Sequence, residues 1–342
     1  MHTLNEIFSQ PWTWQRALEE AKSALDSWRA LLKPEQPIVF TGCGSTWYLA
    51  EIAAGLFRRL TGRLTVAVPG GELLLYPQDW LSQTFTSNDP LPTLIAISRS
   101  GATTETVRAA ETWKARGGTV LVVTNYPDSP LVSPADGGLF LSDGQEESVI
   151  QTRSFTSMLV GLNALAALLG EHTELWNSMQ RLPQVGEHLI QSYHPFAQSL
   201  GSNLLFERFY FLGSGLRYSL AREASLKMKE SSLSHSEPFP FLEFRHGPMS
   251  MVNSHTMLFG MLSQENRRYE QDVLQEMQAL GGHTVSLGEG EADIRFAAGL
   301  SDLINLVLYL PVLQMIAVYR SLAKGLNPDQ PTHLSAVVRM QI

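Results

Sequence analysis

Glu223, Lys227 and Glu230 stand at positions i, i+4 and i+7 of one segment. On a helix that spacing puts two carboxylates and an ammonium on a single face. Such a row is either a salt-bridge ladder or a site, because a carboxylate fixed on a helix can take up a proton and return it. Downstream, His246 sits beside Pro248 in a segment that also carries Pro238 and Pro240. That segment cannot be regular helix or central strand. A histidine held in a stiff loop near helix-borne carboxylates makes an acid and base pair. A third cluster, Ser98-Arg99-Ser100-Gly101-Ala102-Thr103, combines hydroxyls with a glycine that lets backbone approach a ligand closely. It reads either as an anion-binding loop or as a helix capped by Thr103 with a following carboxylate.

These residues need elements to hold them. The segment from Phe209 reads as an apolar strand, a turn through Gly213 and Gly215, a helix bearing the charged row, and an irregular loop ending at Arg245-His246-Gly247-Pro248. The hydroxyl cluster lies between a strand at 94–97 and a helix to about residue 115, where unpaired N–H groups and a partial positive charge favour anions. Strand, glycine turn and helix alternate from residue 38, with strands expected at 38–40, 65–68, 94–97, 119–123 and 139–141. The second half repeats the first. Phe40-x-Gly42-x-Gly44 matches Phe211-x-Gly213-x-Gly215, 171 residues on. Strands are expected there at 208–212, 256–261 and 283–286, and a long last helix at 301–322. A leading helix over about 4–33 carries Trp14 and Trp28 as packing anchors. The fold class is therefore α/β, with two doubly wound parallel-sheet domains in tandem. Its parts are a helix at 1–34, domains at 35–170 and 171–326, and a tail at 327–342.

The run E-A-S-L-K-M-K-E at 223–230, followed by E-F-R-H-G-P at 243–248, resembles the sugar isomerase (SIS) domain family, including the isomerase half of glucosamine-6-phosphate synthase. The resemblance implies flavodoxin-like domains, a phosphosugar substrate and aldose–ketose isomerisation through an enediol. It implies Glu230 as the proton-shuttling base and His246 as the group that opens the sugar ring, the latter serving the neighbouring subunit of a homodimer. Glu223 and Lys227 would orient the sugar or tune Glu230, or form a structural ion pair. Ser98, Ser100, Gly101 and Thr103 match the family's S-x-S-G-x-T phosphate loop. The turn Cys43-Gly44-Ser45-Thr46 is similar to its C-G-x-S, so Gly44, Ser45 and Thr46 join the substrate-binding set. Arg99 stands where the synthase carries glutamine. It tightens phosphate binding, marks a different anion such as a sulfonate, or points outward. The tail resembles the synthase segment that folds over substrate, with Ala336 in place of a lysine able to form a Schiff base. Glutamine-dependent amination is not expected, because the sequence given holds no glutamine-hydrolysing domain. Deamination of a hexosamine 6-phosphate, cleavage of a fructosamine phosphate, and non-catalytic sensing of a sugar phosphate are the alternatives.

Composition narrows the classes further. A net charge of −8 over 342 residues, with a pI near 5.6, gives no general pull toward nucleic acid or anionic membrane. The lone cysteine, Cys43, rules out an internal disulfide and fits a reducing cytoplasm. No basic leader precedes an apolar core at the start, so no signal peptide is expected. No apolar run is expected to span a bilayer. His235, His246 and His255 match no metal-ligand spacing, and no metal or cofactor is expected. In the second repeat, Ser263-Gln264-Glu265-Asn266 adds a carboxylate to the corresponding loop, so a single phosphate site per chain is expected.

Overall fold

A computed structural model describes residues 1–34, 36–80 and 91–340. The expected domain start at 35 and the last two tail residues lie outside these. The chain forms two compact units. One comprises Trp12–Glu146, Arg153–Gln180 and Ser335–Ile342, and the other Met1–Pro11, Glu147–Thr152 and Arg181–Leu334.

The first of these units carries a parallel sheet of β1 (Ile38–Gly42), β2 (Thr65–Pro69), β3 (Thr93–Ile97), β4 (Val120–Thr124) and β5 (Gly137–Phe140), ordered β2-β1-β3-β4-β5. Every residue of β1, β3 and β4 is buried, which is why these strands read as continuous apolar runs. The edge strands β2 and β5 are only partly covered. On one face Val39, Leu94, Ala96 and Val122 pack with Ala110 and Trp113 of the helix Thr104–Ala115. The Trp113 indole N–H donates to the Pro92 carbonyl at 2.9 Å. Phe40, Phe57 and Trp28 form an aromatic cluster with ring centroids 5.1 and 6.3 Å apart. Trp14 and Trp28 are fully buried, as packing anchors must be.

The second unit repeats the plan with β6 (Arg208–Gly213), β7 (His235–Phe239), β8 (Thr256–Met261), β9 (His283–Gly288) and β10 (Ile294–Arg295), ordered β10-β9-β8-β6-β7 and again parallel. In each sheet the chain order reverses beside the first strand, at β1/β3 and at β6/β8. Crevices at the carboxyl ends of such strands are where doubly wound folds bind ligands. The repeat extends to backbone detail. Gly44 and Gly215 have φ of +58° and +59°. A Cβ on Gly42 or Gly213 would meet the carbonyl oxygen four residues on at 2.5 or 2.4 Å.

Three expectations need correction. The segment after the charged helix is not wholly irregular: His235–Phe239 is strand β7, with Pro238 opposite Phe211. It is tolerated because β7 lies at the sheet edge, where no neighbour needs the missing N–H. The leading helix is two helices, His2–Phe8 and Gln10–Leu31, parted at Ser9. Finally, among the described residues, Asp302–Ala323 is long and apolar enough to cross a bilayer, with mean hydropathy 1.6. Of its apolar 18-residue stretch, 89% is buried inside the protein, which makes it a core element. A 3-10 turn, Leu306–Tyr309, and Pro311 in the first turn of Leu310–Ala323 interrupt it.

Candidate functional site

The charged row lies on the helix Leu216–Ser232, which Gly215 starts with a positive φ directly after β6. Lys227 is 2% exposed, and its Nζ sits 2.6 Å from Glu230 Oε2 and 3.4 Å from Glu223 Oε1. Burial is graded along the face. The Glu223 side chain is fully buried, whereas that of Glu230 is 21% exposed. The row is thus a salt-bridge ladder whose outer end reaches solvent. The Lys227 ammonium lies between two carboxylates, closer to the outer one.

His246 is exposed, in the turn after the short helix Phe241–Phe244. Gly247 follows at φ +124°, a conformation other residues rarely adopt, and Pro248 opens a 3-10 turn. Glycine at 247 is therefore a backbone requirement. No hydrogen bond or ion pair joins His246 to Glu223, Lys227 or Glu230 among the described residues of the chain.

The hydroxyl loop joins β3 to the helix Thr104–Ala115, with Thr103 at its N-cap but no side-chain capping bond. The Thr103 hydroxyl instead faces the Ser98 hydroxyl at 3.4 Å. Ser98 Oγ accepts the Gly101 N–H and Ser100 Oγ accepts the Ala102 N–H, at 3.1 and 3.2 Å. The Ser98 hydroxyl and that of Thr103 can each donate to the other, and the Ser100 hydroxyl hydrogen remains available to donate. Gly101 has φ +59°, and a Cβ there would lie 1.8 Å from Ser129 Oγ. Only glycine fits. The Arg99 and Gly101 carbonyls accept from Thr124 Oγ1 and from the Leu131 N–H, which fixes the loop against the chain beyond β4.

The turn Gly42–Thr46 ends the neighbouring strand β1. Thr46 Oγ1 accepts the Cys43 N–H at 3.0 Å and donates to the Cys43 carbonyl at 2.9 Å, closing the turn. Ser45 and Thr46 are buried, and Gly44 caps the helix Ser45–Thr61. Cys43 Sγ lies 3.5 Å from Thr106 Oγ1, tying this turn to the helix of the hydroxyl loop. Burial pushes the Cys43 thiol pKa up, with the Thr106 hydroxyl opposing, so it rests as a thiol.

Arg99 does not point outward. It is 6% exposed, with NH2 donating to the Ala336 carbonyl at 2.6 Å and NH1 3.6 Å from the buried carboxylate of Glu146. Neither partner was visible in the sequence, because nothing local pairs residues so far apart in the chain.

In the second repeat the corresponding loop bonds to carboxylates of the chain itself. Between β8 and the helix Arg267–Ala279, the Ser263 N–H and hydroxyl donate to Glu270 at 2.5 and 2.9 Å, and the Gln264 N–H donates to Asp302 at 3.0 Å. Arg217 lies 3.3 Å from Asp302 and 3.9 Å from Glu270. The protein's own carboxylates take the amides that an anion would use. They come from Glu270 and Asp302, whereas Glu265, the carboxylate singled out in the sequence, is exposed. Burial raises the Glu270 pKa, opposed by the bonds from Ser263 and by Arg217. Among the described residues no group of three or more His, Cys, Asp or Glu side chains is placed to hold a metal.

The SIS domain family model matches residues 31–168 and 207–294. A glutamine–fructose-6-phosphate aminotransferase (isomerizing) of Pyrococcus horikoshii is 28% identical over 99% of this chain. The chain spans 57% of that relative's length. The crystal structure of a glucosamine-6-phosphate deaminase from Thermotoga maritima is similar with a TM-score of 0.80 and 26% identity, covering 98% of this chain and 99% of that one. A tagatose-6-phosphate ketose/aldose isomerase from Escherichia coli, 24% identical, gives a TM-score of 0.81 over 96% of this chain and 94% of its own, a likeness of fold.

Proposed function

Because the chain belongs to the SIS domain family, we propose that it is a phosphosugar aldose–ketose isomerase acting on a hexose 6-phosphate or a close anionic analogue. The observation that carries this reading is the graded burial of the charged helix face. Glu223 and Lys227 are locked inside, while Glu230 is both held by Lys227 and reachable. A shuttling base must be fixed and accessible at once.

The Glu230 carboxylate removes the proton from the carbon beside the sugar carbonyl. The released electron pair moves toward the carbonyl oxygen, which takes up a proton, and an enediol results. Return of the first proton to the neighbouring carbon, with loss of a hydroxyl proton, leaves the carbonyl moved by one position. His246 opens the ring, and its exposed loop suits service to the neighbouring subunit of a cytoplasmic homodimer. Glu223 and Lys227 orient Glu230. The loop at Ser98, Ser100, Gly101 and Thr103 takes the phosphate, with the Gly44-Ser45-Thr46 turn beside it in the fold. In domain terms, the anion loop belongs to 35–170 and the base to 171–326.

Amino-sugar deamination is the second reading. It is favoured by the likeness to the Thermotoga maritima deaminase over nearly the full length of both chains, and an enolamine intermediate would use the same base. Incubation with fructose 6-phosphate and, separately, glucosamine 6-phosphate, followed by NMR and an ammonia assay, decides between the two. Aldose and ketose interconverting without ammonia is the expected result. Ammonia from glucosamine 6-phosphate puts deamination first, and binding with neither change turns the reading toward a sensor.

A further inference from the structure

We infer that Arg99 is a positioning residue that clips the C-terminal tail onto the anion loop, and not a ligand of the anion itself. A buried guanidinium must have its charge and donors met. Here the charge faces the fully buried Glu146 side chain, and one N–H is spent on the Ala336 carbonyl. Glu146 is itself fixed, accepting the Ser154 N–H at 3.1 Å and the Ser154 hydroxyl at 2.5 Å at the start of the helix Arg153–Leu169. Arg99 therefore brings a neutralised pair to the loop and no surplus charge for a ligand.

Beyond Ala336 the tail makes two more contacts with the same segment. The Val338 carbonyl accepts the Thr104 N–H at 3.4 Å, and the Met340 N–H donates to Thr104 Oγ1 at 3.0 Å. Thr104 is the first residue of the helix behind the anion loop. Three bonds thus run from residues 99 and 104 to residues 336, 338 and 340, all within one unit. The short, geometrically sound Arg99 bond is the anchor, and it holds the position where the resemblance puts a lysine.

The test is R99Q, which leaves a shorter donor and no charge. Trypsin cleavage after Arg339 reads the tail, and titration with inorganic phosphate reads the loop. The clip predicts that cleavage quickens by about tenfold, the change expected for losing a charged hydrogen bond worth about 1.4 kcal/mol, while the phosphate Kd stays within about threefold. R99K should restore part of the protection. Phosphate affinity falling tenfold with cleavage unchanged, or no change in either readout, overturns the proposal. If R99Q fails to fold because Glu146 is left buried without it, R99Q/E146Q removes both charges and carries the same readouts. The effect on turnover rests on the isomerase reading, but the cleavage does not. If the wild-type chain binds no phosphate, the anion loop fails while tail cleavage still decides the clip.

Discussion

Lys227 stands between two carboxylates of unequal burial, and one substitution tests what it contributes. Its ammonium lies 3.4 Å from a fully buried carboxylate on one side and 2.6 Å from a partly exposed one on the other. K227M keeps the length of the side chain but leaves Glu223 buried without that ammonium. Removing one partner of a buried pair costs about 3–5 kcal/mol, so a clear fall in the denaturant midpoint is expected, together with loss of turnover. A variant as stable as the wild type would show that the pair carries little. The i, i+4, i+7 spacing made this row legible, because helix geometry alone puts those residues together. Arg99 was not legible. Its partners Glu146 and Ala336 are far off in sequence, and only packing decides whether a guanidinium in a loop turns inward or outward. Likewise, Glu270 and Asp302 fill the second-repeat loop through contacts that no local pattern announces.

At the scale of elements, the central strands were readable for a physical reason. Strands buried on both faces must be apolar throughout, whereas β7, with His235, Glu237 and Pro238 at a sheet edge, carries no such signature. The helix His2–Phe8 shows how an element can depend on distant sequence. Its N-cap, Met1, makes no side-chain bond, and Asp329 accepts the His2 and Thr3 N–H groups and the Thr3 hydroxyl in its place. Burial works to raise the Asp329 pKa, but the bonds from Thr3 and His2 outweigh it and hold the carboxyl below its usual value. A depressed carboxyl contributes stability that is present above the unfolded value, near 3.9, and lost as pH falls through the folded one. D329A should therefore lower the melting temperature at pH 6 by about 2 °C, for a cap worth about 1 kcal/mol. The gap should close in more acid solution. Melts that differ equally at pH 6 and at pH 2 would contradict this account of the cap.

For the whole molecule, the tandem plan was legible from the glycine repeat, and it holds down to matching positive φ values and identical strand orders. The course of the chain between the two compact units was not legible. Met1–Pro11 and Glu147–Thr152 belong with the unit that carries the second sheet. The buried Glu6 explains the association: its carboxylate accepts the Glu147 and Ser148 N–H groups and the Ser148 hydroxyl. Two similar frames have thus diverged at one kind of loop. One carries serine and threonine hydroxyls at a helix start, and the other is filled by its own carboxylates. The account assigns one anion site and one base to each chain, and the base is its central claim. The most direct test incubates wild type and E230Q with a panel of hexose 6-phosphates in deuterated water and follows C1 and C2 by proton NMR. The account predicts deuterium at these carbons with the wild type, and loss of exchange by about a hundredfold or more in E230Q while sugar-phosphate binding persists. Exchange by E230Q at the wild-type rate would contradict it.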